Sequence, residues 1–205
     1  MFPWKNFQSL NLPGFRHAFS LRCGRPDAEL PSLLRPSISS LGWNEQAVVE
    51  AGQPHGNGVA VVDAGDDRET MPGVDALATF APGVVLAIRV ADCGPVYFFD
   101  PAHKAIAIAH SGRKGTEQNI VGATIATLCA SGSRASDLIV FLGPCIRPPQ
   151  YQIDFASEIL LQARNAGVRS VFDSGENTAT DLQQYYSYRM EKGQTGRMWA
   201  VAMIE

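Results

Sequence analysis

Cysteine and histidine are scarce, four of each in 205 residues. No Cys-x-x-Cys or His-Glu-x-x-His occurs, so neither a zinc ribbon nor a helix-borne metalloprotease site is encoded. No Gly-x-Gly-x-x-Gly follows an early strand, and nothing points to a dinucleotide. No apolar run reaches transmembrane length, and Met1-Phe2-Pro3-Trp4-Lys5-Asn6-Phe7 lacks the basic segment and apolar core of a signal peptide. A cytoplasmic protein without a membrane partner is expected. Lys and Arg are dispersed and the net charge is −3, which argues against a nucleic-acid surface and favours a small-molecule partner. Repeats, low-complexity tracts and linkers are missing, so residues 1–205 read as one domain. Cys23, Cys93, Cys129 and Cys145 lie far apart, as reduced thiols do. A domain of this size buries about 70% of the surface its unfolded chain exposes and needs no structural metal. Any metal is therefore expected to be functional.

What is present is an ordinary globular balance, 45% hydrophobic and 18% charged. The first forty residues, punctuated by Pro3, Pro13, Pro26, Pro31 and Pro36, read as short strands and loops, with a strand over 17–22. A helix is expected near 44–51, strands over 58–63 and 84–91, and a short ordered piece over 75–80. Two strands, 96–99 and 105–109, flank the Asp100-Pro101 turn and form a hairpin. After Ser111-Gly112-Arg113-Lys114-Gly115, an amphipathic helix begins at Thr116. A buried strand over 138–142, a helix over 155–166 closed by Gly167, and a final hairpin of 185–189 with 198–204 complete the chain. Hairpin-linked strands with few helices predict an α+β fold with mixed sheets.

Three residues that favour soft divalent metals stand where the chain turns: His55 in Gln-Pro-His-Gly, Cys93 in Ala-Asp-Cys-Gly-Pro, and His110 in Ala-His-Ser-Gly. Cys93 and His110 each end an apolar run, so a sheet can hold both rigidly at its rim. Two imidazoles and a thiolate suit a catalytic zinc, which commonly leaves its fourth position to water or substrate. Taken singly, a strand-end Cys is also a small buried hydrophobe and a lone His a satisfied polar residue. Asp92 can orient a ligand, accept from a purine N–H, or stabilise its own turn. Cys145 either lines the site or is a buried thiol.

These segments, with Asp75-Ala-Leu-Ala-Thr, Gly143-Pro-Cys-Ile, Tyr151, Tyr186-Ser-Tyr-Arg and Thr195-Gly-Arg, occur in an order that resembles one family. It is the purine nucleoside phosphorylase family formerly labelled multicopper polyphenol oxidases, or laccase-domain proteins. The resemblance implies a four-layer α/β/β/α sandwich with a metal, usually zinc, on His55, Cys93 and His110. It also implies phosphorolysis of adenosine, inosine or methylthioadenosine, deamination of adenosine, and in some relatives a link to peptidoglycan-precursor editing. The family usually writes His-Ala-Gly-Trp-Arg-Gly where this chain has His-Ser-Gly-Arg-Lys-Gly, which puts Arg113 in the Trp position and Lys114 in the Arg position. Phosphate, the second substrate, needs cations and backbone N–H donors, for which Arg113, Lys114 and the helix start at Thr116 are candidates. The same residues serve equally as a glycine turn with two solvated cations. Competing readings are a copper polyphenol oxidase, a metal-free Cys/His hydrolase with Cys93 activated by His110, and a binding protein that has lost turnover. Four histidines are few for a multicopper enzyme.

Overall fold

The computed structural model describes residues 1–25, 27–64 and 69–205. Pro26, counted above among the loop prolines, lies outside the described residues. The strands are β1 (Trp4–Lys5), β2 (Phe15–Ser20), β3 (Val48–Ala51), β4 (Val59–Val61), β5 (Thr70–Met71) and β6 (Ala76–Thr79). They continue as β7 (Val85–Val90), β8 (Gly94–Asp100), β9 (Ala105–Ser111), β10 (Ile139–Leu142), β11 (Ser170–Asp173) and β12 (Met198–Ile204). The helices are α1 (Leu34–Ser40), α2 (Arg113–Glu117), α3 (Ile120–Ala130) and α4 (Phe155–Asn165). Two mixed six-stranded sheets form, ordered β1-β2-β12-β7-β3-β5 and β11-β10-β8-β9-β6-β4.

Side-chain size alternates across the second sheet and decides what packs on each face. Tyr97, Phe99, Ile106, Ile108 and Phe141 face the first sheet and fill the space between sheets. Ala76, Ala78, Ala105, Ala107 and Ala109 point the other way, where their small side chains let α3 come close, while α4 packs on β10 and β11. With α1 burying Leu34 and Ile38 in the first sheet's cluster, the order of layers is α/β/β/α, and the fold is α+β with mixed sheets.

Between the sheets His17 lies among aromatic rings. Phe7 and Phe15 stack with it at centroid distances of 5.9 and 5.6 Å, and its Nε2 accepts from Phe7 N at 2.8 Å. Burial pushes its pKa from 6.5 down to about 4. The unfolded chain therefore takes up this proton below pH 6.5, while the native chain resists it until about pH 4. Native stability should be intact above pH 6.5 and fall by about 3 kcal/mol as the pH drops from 6.5 to 4. Urea titrations of wild type and His17→Asn at several pH values measure this, since the variant lacks the titration. Parallel pH profiles of the two proteins would contradict it.

Four expectations need correction. In place of a helix over 44–51, Asn44 caps a single 3-10 turn, Glu45–Ala47, and β3 follows, paired parallel to β7. Val48 and Val49 are β-branched and buried, which favours the strand. The proline-rich first forty residues also contain α1, with Pro36 in its first turn, where no N–H is required. The helix expected from Thr116 begins at Arg113 and breaks after Glu117. Asn119, at φ 57°, then caps α3 by accepting from Gly122 N. Residues 185–189 are no strand, because their backbone bonds elsewhere: Tyr185 N donates to Asp181 O, Ser187 N to Glu191 Oε2 and Arg189 N to Asp92 Oδ2. β12 pairs instead with β2 and β7. The helix over 155–166 is found as α4, capped by Asp154 and followed by Gly167 at φ 97°.

Candidate metal centre and substrate cavity

The site is assembled by two ladders and a loop. In the β8–β9 hairpin Gly94 pairs with Ser111 and Pro95 with His110, which carries Cys93 to Gly112 at the open end. A Cβ on Gly112 would stand 2.4 Å from Cys93 Sγ, so only glycine leaves the thiol its place. In the second ladder β6 pairs with β9, and His110 N donates to Asp75 O at 2.8 Å, so Asp75 stands beside His110. The loop before β4 supplies His55. It enters with Gln53 and His55 at φ 59° and 66°, conformations that cost about 1–2 kcal/mol each for non-glycine residues. The Gln53 amide offsets this with two bonds to the Arg89 backbone, at 2.7 and 2.8 Å. Gln118 Nε2 donates to His55 O at 3.3 Å, tying the loop to α2.

One ligand atom from each of His55, Cys93 and His110 lies within 4.8 Å of the others. A single ion with bonds of about 2.0–2.3 Å to nitrogen and sulfur can bridge such a set, and the donor chemistry suits zinc or copper. The residues present thus fit a metal.

Asp75 organises the centre. Its carboxylate is fully buried; Oδ1 accepts from His110 Nδ1 at 2.8 Å and from His55 N at 3.0 Å, and Oδ2 accepts from Gly56 N at 2.7 Å. The bond at Nδ1 leaves His110 Nε2 for a metal or the thiol. Burial alone would raise the Cys93 thiol, but hydrogen bonds and charge from His110 and His55 outweigh it and lower its pKa to about 6. Burial likewise opposes charge on His110, and bonds to Asp75 and Cys93 overcome it and raise its pKa. At neutral pH the pair is a thiolate facing an imidazolium, and a metal held by both residues would displace the His110 proton.

These three residues border a cavity of about 940 Å³. Asp92, Arg113 and Lys114 also line it. Both oxygens of Asp92 are engaged: Oδ1 accepts from Thr178 Oγ1 at 2.7 Å and Oδ2 from Arg189 N at 2.7 Å. Its carboxylate holds the 188–197 segment against the site. Arg113 Nε donates to Glu117 Oε1 at 2.8 Å, whereas Lys114 has no such tie among the described residues. Cys145 is buried in the second sheet's cluster, away from the lining, and burial raises its thiol pKa to about 12. His17 is locked in the core and His103 Nδ1 is bonded to Asp100 Oδ2, so two imidazoles remain for the site.

Sequence reasoning did not assign Asp75 to the site. Its signals were its place in one of the segments that carry the family resemblance and an acid opening the apolar strand Ala-Leu-Ala-Thr, a poor place for a carboxylate without partners. The aromatic wall, Tyr151, Phe155 and Tyr188, was missed as a unit because its members come from a loop, a helix and a turn.

The profile of the family described as multi-copper polyphenol oxidoreductase laccase matches residues 32–158 and 150–205. The chain belongs to this family. A relative from Deinococcus radiodurans named purine nucleoside phosphorylase is 34% identical over 206 residues, spanning 86% of this chain and 77% of that protein. A second, purine nucleoside phosphorylase YlmD of Staphylococcus aureus, is 32% identical over 186 residues, spanning 72% of this chain and 69% of that one. Among solved structures, YlmD from Geobacillus stearothermophilus superposes with a TM-score of 0.87 at 23% identity, over 97% of this chain and 94% of that one. The hypothetical protein YfiH of Bacillus licheniformis gives 0.84 at 20%, over 99% of each chain. Both solved structures share the α/β/β/α sandwich. No helix among the described residues is long and apolar enough to cross a membrane.

Proposed function

We propose that this laccase-family chain, acting as one domain, is a zinc-dependent purine nucleoside phosphorylase that takes adenosine, inosine or methylthioadenosine, with adenosine deamination as a second activity. The observation that carries it is the convergence of His55, Cys93 and His110 at the edge of a cavity whose lining includes six cations and three aromatic rings. The names of the relatives support the reading. His55, Cys93 and His110 would hold the metal, which when bound supplies Lewis acidity at the cavity wall. Two imidazoles and one thiolate favour a single ion over the several copper centres of an oxidase.

In phosphorolysis a phosphate oxygen bonds to ribose C1′ as the bond from C1′ to the purine nitrogen breaks, giving ribose 1-phosphate and free base. Lys114 and Arg113 hold the phosphate dianion. Tyr151, Phe155 and Tyr188 offer faces and edges to the purine, and the walls exclude water that would compete with phosphate.

Base release from inosine or adenosine should require phosphate and yield ribose 1-phosphate, and the protein prepared without chelator should carry one zinc per chain. Equal release in phosphate-free buffer, or stoichiometric copper, would refute the reading. Ammonia release from adenosine tests the second activity. Lys114→Ala should raise the KM for phosphate about tenfold with a smaller effect on the nucleoside KM, because a charge-assisted hydrogen bond is lost from one substrate only. Arg113→Ala should act in the same direction more weakly, since Glu117 already balances part of its charge. Unchanged phosphate KM in both variants would return them to solvated turn cations.

A further inference from the structure

Three more cations, Arg189, Lys192 and Arg197, line the cavity from the 188–197 segment. None of them forms an ion pair among the described residues, because the nearby carboxylates are spent elsewhere. Glu191 accepts from Arg22 Nη2 at 2.7 Å, Ser187 N at 3.0 Å and Thr195 Oγ1 at 2.5 Å. Asp92 is taken by Thr178 and the Arg189 backbone. The two guanidiniums are nevertheless positioned. Arg197 Nη1 donates to Thr195 O and Gly196 O, both at 2.9 Å, and its head group lies 5.5 Å from the Tyr188 ring centroid. Arg189 lies 5.7 Å from the Tyr151 centroid. Guanidiniums held over aromatic faces in a concave wall, without a carboxylate paired to them, are preorganised for an anion.

Lys114 and Arg113, the latter paired to Glu117, offset only part of the charge of one inorganic phosphate, and Arg89 adds a further cation to the lining. With a neutral nucleoside and one phosphate the cavity cations stay in excess of the carboxylates, whereas a substrate carrying a phosphate monoester of charge about −1.5 to −2 would offset most of that excess. We infer that Arg189, Lys192 and Arg197 form a second anion subsite and that, beside the free nucleosides above, the site takes a purine nucleoside 5′-monophosphate in preference to them. This rests on the phosphorylase reading above. The reaction then balances without a further reagent: a phosphate oxygen bonds to C1′, the bond from C1′ to the purine nitrogen breaks, and its electron pair leaves with the base, which is protonated from solvent. The products are free base and ribose 1,5-bisphosphate.

The test is calorimetric titration of the zinc-loaded full chain with AMP, adenosine, ribose 5-phosphate and inorganic phosphate at low and high salt. AMP should bind at least tenfold tighter than adenosine at low salt, and the advantage should shrink as salt rises. Arg197→Gln and Lys192→Asn should each reduce the ratio of AMP to adenosine affinity at least threefold. Lys192 is exposed at φ 53°, a conformation asparagine tolerates, so that variant reports on charge even if Arg197→Gln fails to fold. AMP binding no tighter than adenosine, or an advantage unchanged in Lys192→Asn, would overturn the subsite even with phosphorolysis of adenosine intact. A tenfold AMP preference in a protein that releases no base would support the subsite while refuting the phosphorylase reading.

Discussion

Asp75→Ala should unseat both histidines at once. The fully buried carboxylate receives His110 Nδ1, His55 N and Gly56 N, so its removal leaves an imidazole and two backbone donors without acceptors. Breaking a buried network of this kind costs about 3–5 kcal/mol of stability. Metal affinity should fall by about 10–100-fold or more, since the His110 ring loses its orienting bond and the His55 loop its anchor. Asp75→Asn keeps the volume and one carbonyl oxygen, which can still accept from His110 and His55, but its amide cannot accept from Gly56 N. It should therefore retain most of the stability and lose less affinity. Urea unfolding combined with chelator competition separates the two effects. A folded Asp75→Ala protein that holds zinc as tightly as wild type would show that Asp75 does not set the ligand geometry.

That Asp75 escaped sequence reasoning while its three neighbours did not has a physical explanation. His55, Cys93 and His110 carry ligand chemistry on their own, and the hairpin that brings two of them to one sheet edge is written in the apolar runs either side of Asp100-Pro101. A buried carboxylate is recognisable only from what it bonds, and two of its three partners are backbone N–H groups, which carry no residue identity. Asp92 is a similar case. Its residue type left open a role at the metal, at the purine or in its own turn, and its contacts hold a segment almost a hundred positions further along the chain. The 185–189 segment had the aromatic content of a strand, but side-chain acceptors from Glu191 and Asp92 took the place of ladder partners. The α4 helix and the buried β7 and β10 strands were legible because caps and apolar runs act locally. The short β3 was not, since pairing with β7, a distant partner, decides it.

Gly112→Ala should empty the metal site as thoroughly as Cys93→Ala. The backbone at Gly112 has φ −96° and ψ −172°, which alanine adopts without strain, so the added methyl acts through space alone. It would stand 2.4 Å from Cys93 Sγ and 3.4 Å from Cys93 Cβ, and the sulfur must move by about 1 Å or change rotamer. A zinc–sulfur bond of about 2.3 Å does not survive that displacement. The stability cost should be about 1–3 kcal/mol, as for other overpacked positions, leaving a folded protein on which zinc can be measured. A double mutant isolates the cause. With Cys93→Ala in the background the sulfur is gone, so Gly112→Ala should cost almost nothing further, and the double variant should be more stable than Gly112→Ala alone. If Gly112→Ala binds one zinc per chain, the thiol tolerates the methyl and Cys93 is not held where a ligand must be. If the two substitutions are additive in stability, the methyl destabilises through some neighbour other than the sulfur.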